Sequence, residues 1–420
     1  MFEKDASPEF KRHAFGIIVI GCLAMYFSCC LSTDALNILQ PVFTELGWSY
    51  SKLSMPLTVA GYILVALSFV FSTFIMKNGT RIFGTFAFGA MAVGTLLVAI
   101  AYASNNYAIY FVGGVLSRFG CVATQTFIFQ LCAEWFEKTR GRILGIITMA
   151  APLNSATSTT LLTLANNKFG FTATYIIMAA VLGVSTILAF MFSQTRPSEM
   201  GMTPDGIDKV EKDEVKQNTQ KTFLSMKQVL TLASTWKITI AFGIFNGTIG
   251  AIMAFFITRM TEVQVDISVA LIVLSVASVL GIPISYLYGW IDDKYGTIKA
   301  CTVLGVMYVV LCVCLYFSTA GNMWLIVIAA IGMASMTGGC PNLHPSAIMY
   351  TFGTSEYQNA NRYIGIGISL ISTFGVQLMS TCMDKTGSLN TGYIVFGVLT
   401  LVATILIATT KKVDVDKLKK

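Results

Sequence analysis

The chain has 420 residues, of which 55% are hydrophobic and only 12% charged, and its net charge is +7. That balance leaves far more apolar surface than a soluble fold of this length can bury, which identifies an integral membrane protein. Apolar runs long enough to cross a bilayer as helices, not the short alternating strands of a barrel, recur along the whole chain. The expected fold is therefore all-α and polytopic, with about twelve transmembrane helices in two six-helix pseudo-symmetric bundles.

Taken in order, the first six expected spans are Phe15–Gln40, Leu53–Met76, Ile82–Ala103, Tyr107–Cys132, Ile143–Leu164 and Ala173–Phe192. Lys11, Arg12 and His13 precede the first, but that run is too long for a secretory leader and lacks a small-residue cleavage site, so it reads as a retained helix. The one long polar stretch follows, with GIDKVEKDEVKQNTQKT (Gly206–Thr222) at its centre; its mixed charge and scarce apolar residues predict a linker, and Phe223 to Leu232 an amphipathic helix on the membrane face. The remaining spans are Ile238–Ile257, Ile267–Leu287, Ile298–Phe317, Trp324–Tyr350, Tyr363–Met379 and Tyr393–Ala408. The domain reading is residues 1–194 as one six-helix bundle, 195–235 as a cytoplasmic linker and 236–420 as the second bundle.

Basic residues sit at helix ends, as expected of topology signals and not of a nucleic-acid surface. Lys77, Arg81, Lys138, Arg140, Arg142, Lys294 and Lys299 fall on one side, whereas Ser104-Asn105-Asn106 and the Ser318–Asn322 loop carry no charge. Both termini are thereby expected in the cytoplasm of a multi-pass protein of the cell (inner) membrane. The ten cysteines lie almost entirely inside apolar runs and read as small packing residues. His13 and His344 are the only histidines and are expected far apart, so no metal site is expected. The polar segments hold no phosphate-binding loop, nucleophile with a base, or paired catalytic carboxylates, so neither an enzyme nor a cofactor is expected.

Arg118 lies deep inside the fourth span. A cation there costs about 2.5–3.5 kcal/mol on insertion scales and usually faces a watery cavity in which it has a function. Its planar, permanently charged fork suits a carboxylate, whether of a substrate or of an internal acid. Asp34, in the first span at a depth within reach, is the expected internal acid. No buried basic residue of the second half is expected to match Arg118, which favours a singly charged ligand. In the tenth span GGCPNLHP (Gly338–Pro345) places two prolines four residues apart behind two glycines, so a break or hinge is expected there. In the fifth span the hydroxyls of Ser155 to Thr160 read as a close-packing face.

Two sets of six helices with a linker between them are what parallel repeats of a secondary transporter look like. Between the eighth and ninth spans, GWIDDKYGTIK carries a G-x-x-x-D-x-x-G loop made of Gly289, Asp293 and Gly296, followed by Lys299. It resembles the signature loop of the major facilitator superfamily, where such a loop acts as a conformational latch. The equivalent first-half loop, FIMKNGTRIFG, keeps Gly79 and Arg81 but has no aspartate. Arg118 with Gly120 is similar to the start of the family's fourth-helix R-x-x-x-G-x-G motif, without its downstream glycines. WFEKTRGRILGI (Trp135–Ile146) and TRPSEMGMTPDG (Thr195–Gly206) look like the corresponding segments of the bacterial oxalate/formate and monocarboxylate porter branch.

The resemblance implies a cavity lined by the first, fourth, seventh and tenth helices. On them, Arg118, Gln125, Asn246 and Asn342 are candidate substrate-binding residues, joined by Asn154 of the fifth helix, while Asp34 and His344 are candidates for proton coupling. The expected function is secondary active transport of a small organic acid of monocarboxylate type, coupled to H+, by alternating access in a monomer that needs only its organic anion, H+ and the lipid bilayer as partners. Two alternatives stand beside it: a carrier or exporter of a larger amphipathic compound such as an aromatic acid, steroid acid or drug, and a membrane nutrient sensor that moves nothing.

Overall fold

The computed structural model describes residues 7–136, 139–194, 196–206, 224–353 and 356–418. The centre of the expected linker, residues 207–223, lies outside them, as do Glu137, Lys138 and Thr195. Among the described residues, eleven helices are long and apolar enough to cross a membrane. Large apolar side chains stand on their outer faces, with Tyr286 79%, Trp324 62% and Ile187 61% exposed. An exterior of this kind suits hydrocarbon and not water. By close packing the chain forms two units, one of residues 1–38 and 59–217, the other of residues 39–58 and 218–420.

In the first unit, α1 (Pro8–Cys30) starts on Ser7, whose hydroxyl accepts the Phe10 N–H, with Pro8 at the first helical position, where a missing N–H costs nothing. The expected single span Phe15–Gln40 is interrupted. α1 ends at Cys30, a short 3-10 turn covers Thr33–Ala35, and α2 (Leu36–Thr44) resumes in helical geometry. Ser32, Thr33 and Asp34 have side chains that compete with the helical backbone for hydrogen bonds, which is where the break falls. α3 (Tyr50–Ser104) is two helices joined at Gly79, whose φ of 80° only glycine adopts readily. α4 (Tyr107–Trp135) begins on Asn106, which accepts the N–H groups of Ala108 and Ile109. The fifth expected span appears as α5 (Arg140–Thr148) and α6 (Ala150–Phe169), the latter long enough to span but made too polar by its hydroxyls and amides to count among the eleven. α7 (Phe171–Phe192) closes the unit, in which α1 packs on α4, α6 and α7.

The second unit opens with α8 (Met226–Thr231), started by a Ser225–Gln228 capping box, with Leu224 and Val229 buried. Most of the expected amphipathic segment is therefore docked on this unit, Phe223 lying outside the described residues. α9 (Ala233–Glu262), α10 (Ile267–Tyr295), α11 (Thr297–Phe317), α12 (Met323–Phe352), α13 (Tyr357–Thr386) and α14 (Asn390–Ala408) follow, and a last turn, α15 (Val415–Leu418), offers its Leu418 carbonyl to Gln228 at 2.6 Å. The break expected at GGCPNLHP is absent: α12 runs continuously through Pro341 and Pro345. The glycines ahead of the prolines serve packing instead. A Cβ on Gly338 would run into the Gly281 carbonyl and come within 2.9 Å of the Ser285 nitrogen, so α10 and α12 meet backbone to backbone.

Candidate functional site

Arg118 lies half-buried on α4, and its Nη1 donates to the Ser32 hydroxyl, at the point where α1 breaks. Ser32 is there because the break turns it away from regular helix, with φ −91° and ψ −133°. Two turns along α4, Gln125 Nε2 donates to Ser28 Oγ at 3.1 Å, and Ser28 in turn donates to the Met25 carbonyl. On the other side of α1, Ser155 of α6 donates to Asp34 Oδ2 at 3.2 Å, and the Tyr26 and Thr157 hydroxyls share a bond of 3.0 Å. Asn154, next to Ser155, is fully buried; its Oδ1 accepts from Ser158 at 3.4 Å, while its Nδ2 has no hydrogen-bond partner. Residues 26–34 thus gather Arg118, Gln125, Asp34 and the Asn154 neighbourhood around one polar stretch of the first span.

The expected direct pairing of Arg118 with Asp34 is not what this stretch contains. Each charge is bonded to a neutral hydroxyl, and among the described residues Arg118 has no ion-pair partner. A guanidinium that has bonded one hydroxyl keeps most of its five donors for another acceptor. Chemically, the arrangement offers a fixed positive charge, a nearby carboxyl able to take or release a proton, and a surround of hydroxyl and amide groups that can donate or accept.

The remaining candidates belong to the second unit. Asn246 on α9 bonds back to the Phe242 carbonyl at 2.9 Å and receives the Cys340 thiol at 3.8 Å. Asn342 donates to the Ser285 carbonyl at 2.9 Å and lies against Gly289, where a Cβ would be 3.4 Å from its nitrogen. His344 sits 5.3 Å from the Phe242 ring with Nε2 unpartnered. In the signature loop, Gly296 takes a φ of 93° between α10 and α11. Asp293 and Lys299 are exposed, whereas the neighbouring Asp292 accepts from Thr297 at 2.6 Å.

Sequence reasoning missed several buried or half-buried charges, among them Arg259, Glu262 and Asp205. Arg259, only 2% exposed near the end of α9, corrects the expectation that the second half buries no basic residue. Its guanidinium donates to the carbonyls of Leu315 and Tyr316, to Ser318 and to Glu262, which itself accepts from Ser388 and the Leu389 N–H before α14. A cavity of about 520 Å³ opens beside this pair, but the network already occupies most of the guanidinium's donors. The Arg-x-x-Glu spacing at the end of an apolar run was the available signal. Asp205, buried with a φ of 58°, accepts the N–H of Thr139 at 3.4 Å and its hydroxyl as well. These Thr139–Asp205 bonds join the two segments that look like porter-branch sequences, and Trp135 Nε1 donates at 2.8 Å to the carbonyl of Gln194, just before the second of them.

The description Major Facilitator Superfamily belongs to the family model that matches residues 22–375, and the chain is a member of that family. It is a multi-pass membrane transporter and not an enzyme. Among solved structures it is similar to a point mutant of a nucleoside transporter, NupG, with 10% identity over 94% of this chain and 100% of that one and a TM-score of 0.74. It is also similar to a bacterial homolog of the human lysosomal transporter Spinster in an inward-facing, occupied conformation, with 11% identity over 96% of this chain and 97% of that one and a TM-score of 0.66. At such identities the likeness is one of fold. A search of curated proteins found no match.

Proposed function

We propose that the protein is a secondary active transporter of a small organic acid of monocarboxylate type, coupled to H+, in the cell membrane with both termini cytoplasmic. The observation that carries the reading is Arg118: a guanidinium deep within a membrane helix, half-buried, bonded to a neutral serine and without an ion-pair partner among the described residues. A charge so placed is stabilised when an anion joins it, and a planar carboxylate fits its fork. Asp34 supports the coupling. It lies two residues after the Ser32 that Arg118 bonds and is held by a neutral hydroxyl, so an anion on Arg118 and a proton on Asp34 would load at the same break of the first span. The anion and the proton then cross together by alternating access.

The test is a thermal-shift screen of the purified protein against monocarboxylates, dicarboxylates and aromatic acids. A ligand that binds only the folded state raises the melting temperature in proportion to the logarithm of its concentration. The reading expects stabilisation by a monocarboxylate and none in Arg118→Ala; stabilisation by the same acid in Arg118→Ala would overturn it.

A further inference from the structure

Residues 39–58 form the end of the first span, the connector and the start of the second, yet they pack as part of the second unit, while the chain before Leu39 and after Thr58 packs in the first. A small set of polar contacts holds this segment. The Asp384 carboxylate, near the end of α13, accepts the backbone N–H of Tyr50 at 2.9 Å with one oxygen and that of Ser51 at 2.8 Å with the other. Tyr50 is the first residue of α3, so the carboxylate satisfies two of the N–H groups that a helix start leaves open, at the positive end of its dipole. One turn on, Ser54 donates to Gln377 Oε1 at 2.7 Å, two turns before Asp384 on α13. At the other end of the segment Thr258 of α9 donates to Gln40 Oε1 at 2.6 Å, and between them the Tyr50 ring lies 5.9 Å from that of Phe255.

We propose that Asp384 is a gating residue of the transport cycle, its carboxylate latching the start of α3 onto α13 and letting go once in every cycle. The segment is covalently continuous with the first unit at both ends but bonded to the second, and alternating access requires the repeats to move against each other. The segment cannot follow both, so something must open, and the contacts differ in how readily they do. Gln40 and Ser54 are buried, whereas Asp384 is exposed, and water can replace its two backbone bonds at little cost. The carboxylate is therefore the element that opens first and sets how long the segment stays docked.

The test uses the purified full chain in lipid nanodiscs, in a Cys22→Ser/Cys382→Ser background that leaves Cys29 as the half-buried thiol, the other seven cysteines being buried. Cys29 is on α1, close to both Arg118 and Asp34. Two quantities are read: hydrogen–deuterium exchange of the amides in residues 49–58, and the rate at which a maleimide labels Cys29. Asp384→Asn is expected to speed exchange at Tyr50 and Ser51 roughly tenfold and Cys29 labelling several-fold, with Asp384→Glu close to the unsubstituted protein. Unchanged exchange overturns the latch. Faster exchange with unchanged Cys29 labelling overturns the gating role and leaves a helix cap. If Asp384→Asn does not accumulate folded, Ser54→Ala loosens the same segment and is read against the same outcomes. Neither measurement uses a substrate, so its failure and that of the carboxylate reading are distinguishable.

Discussion

Arg118 and Arg259 are the same residue type in two membrane helices, and their surroundings differ. Arg259 is enclosed by carbonyls, Ser318 and Glu262, a set that compensates a buried guanidinium and ties α9 to α11 and to the start of α14. Removing the carboxylate leaves the buried cation short of charge, so Glu262→Ala is expected to destabilise the protein by about 3 kcal/mol, measured by denaturant unfolding in detergent. Arg118 has a serine where Arg259 has a carboxylate. Arg118→Lys keeps the charge but loses the planar fork, so binding of a stabilising monocarboxylate should weaken about tenfold, near 1.4 kcal/mol, with the ligand-free melting temperature little changed. Titration of the thermal shift checks it. A polar residue inside an apolar run is visible in sequence, but whether a carboxylate reaches it depends on which helices become neighbours, and Asp34, the acid that depth in the first span suggested, is bonded to Ser155.

At the scale of elements, helix positions were legible because spans of apolar residues have a length that the bilayer dictates, while their irregularities were not. Two prolines in α12 predicted a break that is absent, and a stretch without proline in the first span is broken. A membrane helix can carry prolines where neighbouring helices and local adjustment satisfy the freed carbonyls. In α12 the tight apposition to α10 through Gly338 and Gly281 adds packing that holds the helix straight on. Gly338→Leu should force those backbones apart and cost roughly 1–3 kcal/mol, seen as a lowered melting temperature, while substitution at the lipid-facing Ile331 should not. The Ser-Thr-Asp sequence at 32–34 was the readable signal for the other break, since all three side chains offer the backbone alternatives to helical bonding. The porter-like segments around Trp135 and Asp205 were likewise recognisable as motifs, but their mutual binding joins residues about sixty positions apart and needed the fold.

For the whole molecule, the coupling proposed for Asp34 makes a prediction about driving force. One anion moving with one proton carries no net charge, so uptake into proteoliposomes should follow a pH gradient, acid outside, and ignore a membrane potential that would contribute about 2.3 kcal/mol per 100 mV to a charged complex. With the monocarboxylate found in the thermal screen as probe, Asp34→Asn should lose the response to the pH gradient and keep counterflow; potential-driven uptake would refute electroneutral coupling. Composition alone settled that the chain lives in a bilayer as helices, because no soluble fold can hide so much apolar surface, and the superfamily's loop signature placed it among transporters. Tertiary structure decided which charges are compensated and which are left open, since a side chain's partner in a helical membrane protein comes from another helix. It also assigned residues 39–58 to the second unit, a packing choice made by Asp384, Gln377 and Thr258 more than three hundred or two hundred positions away in the chain.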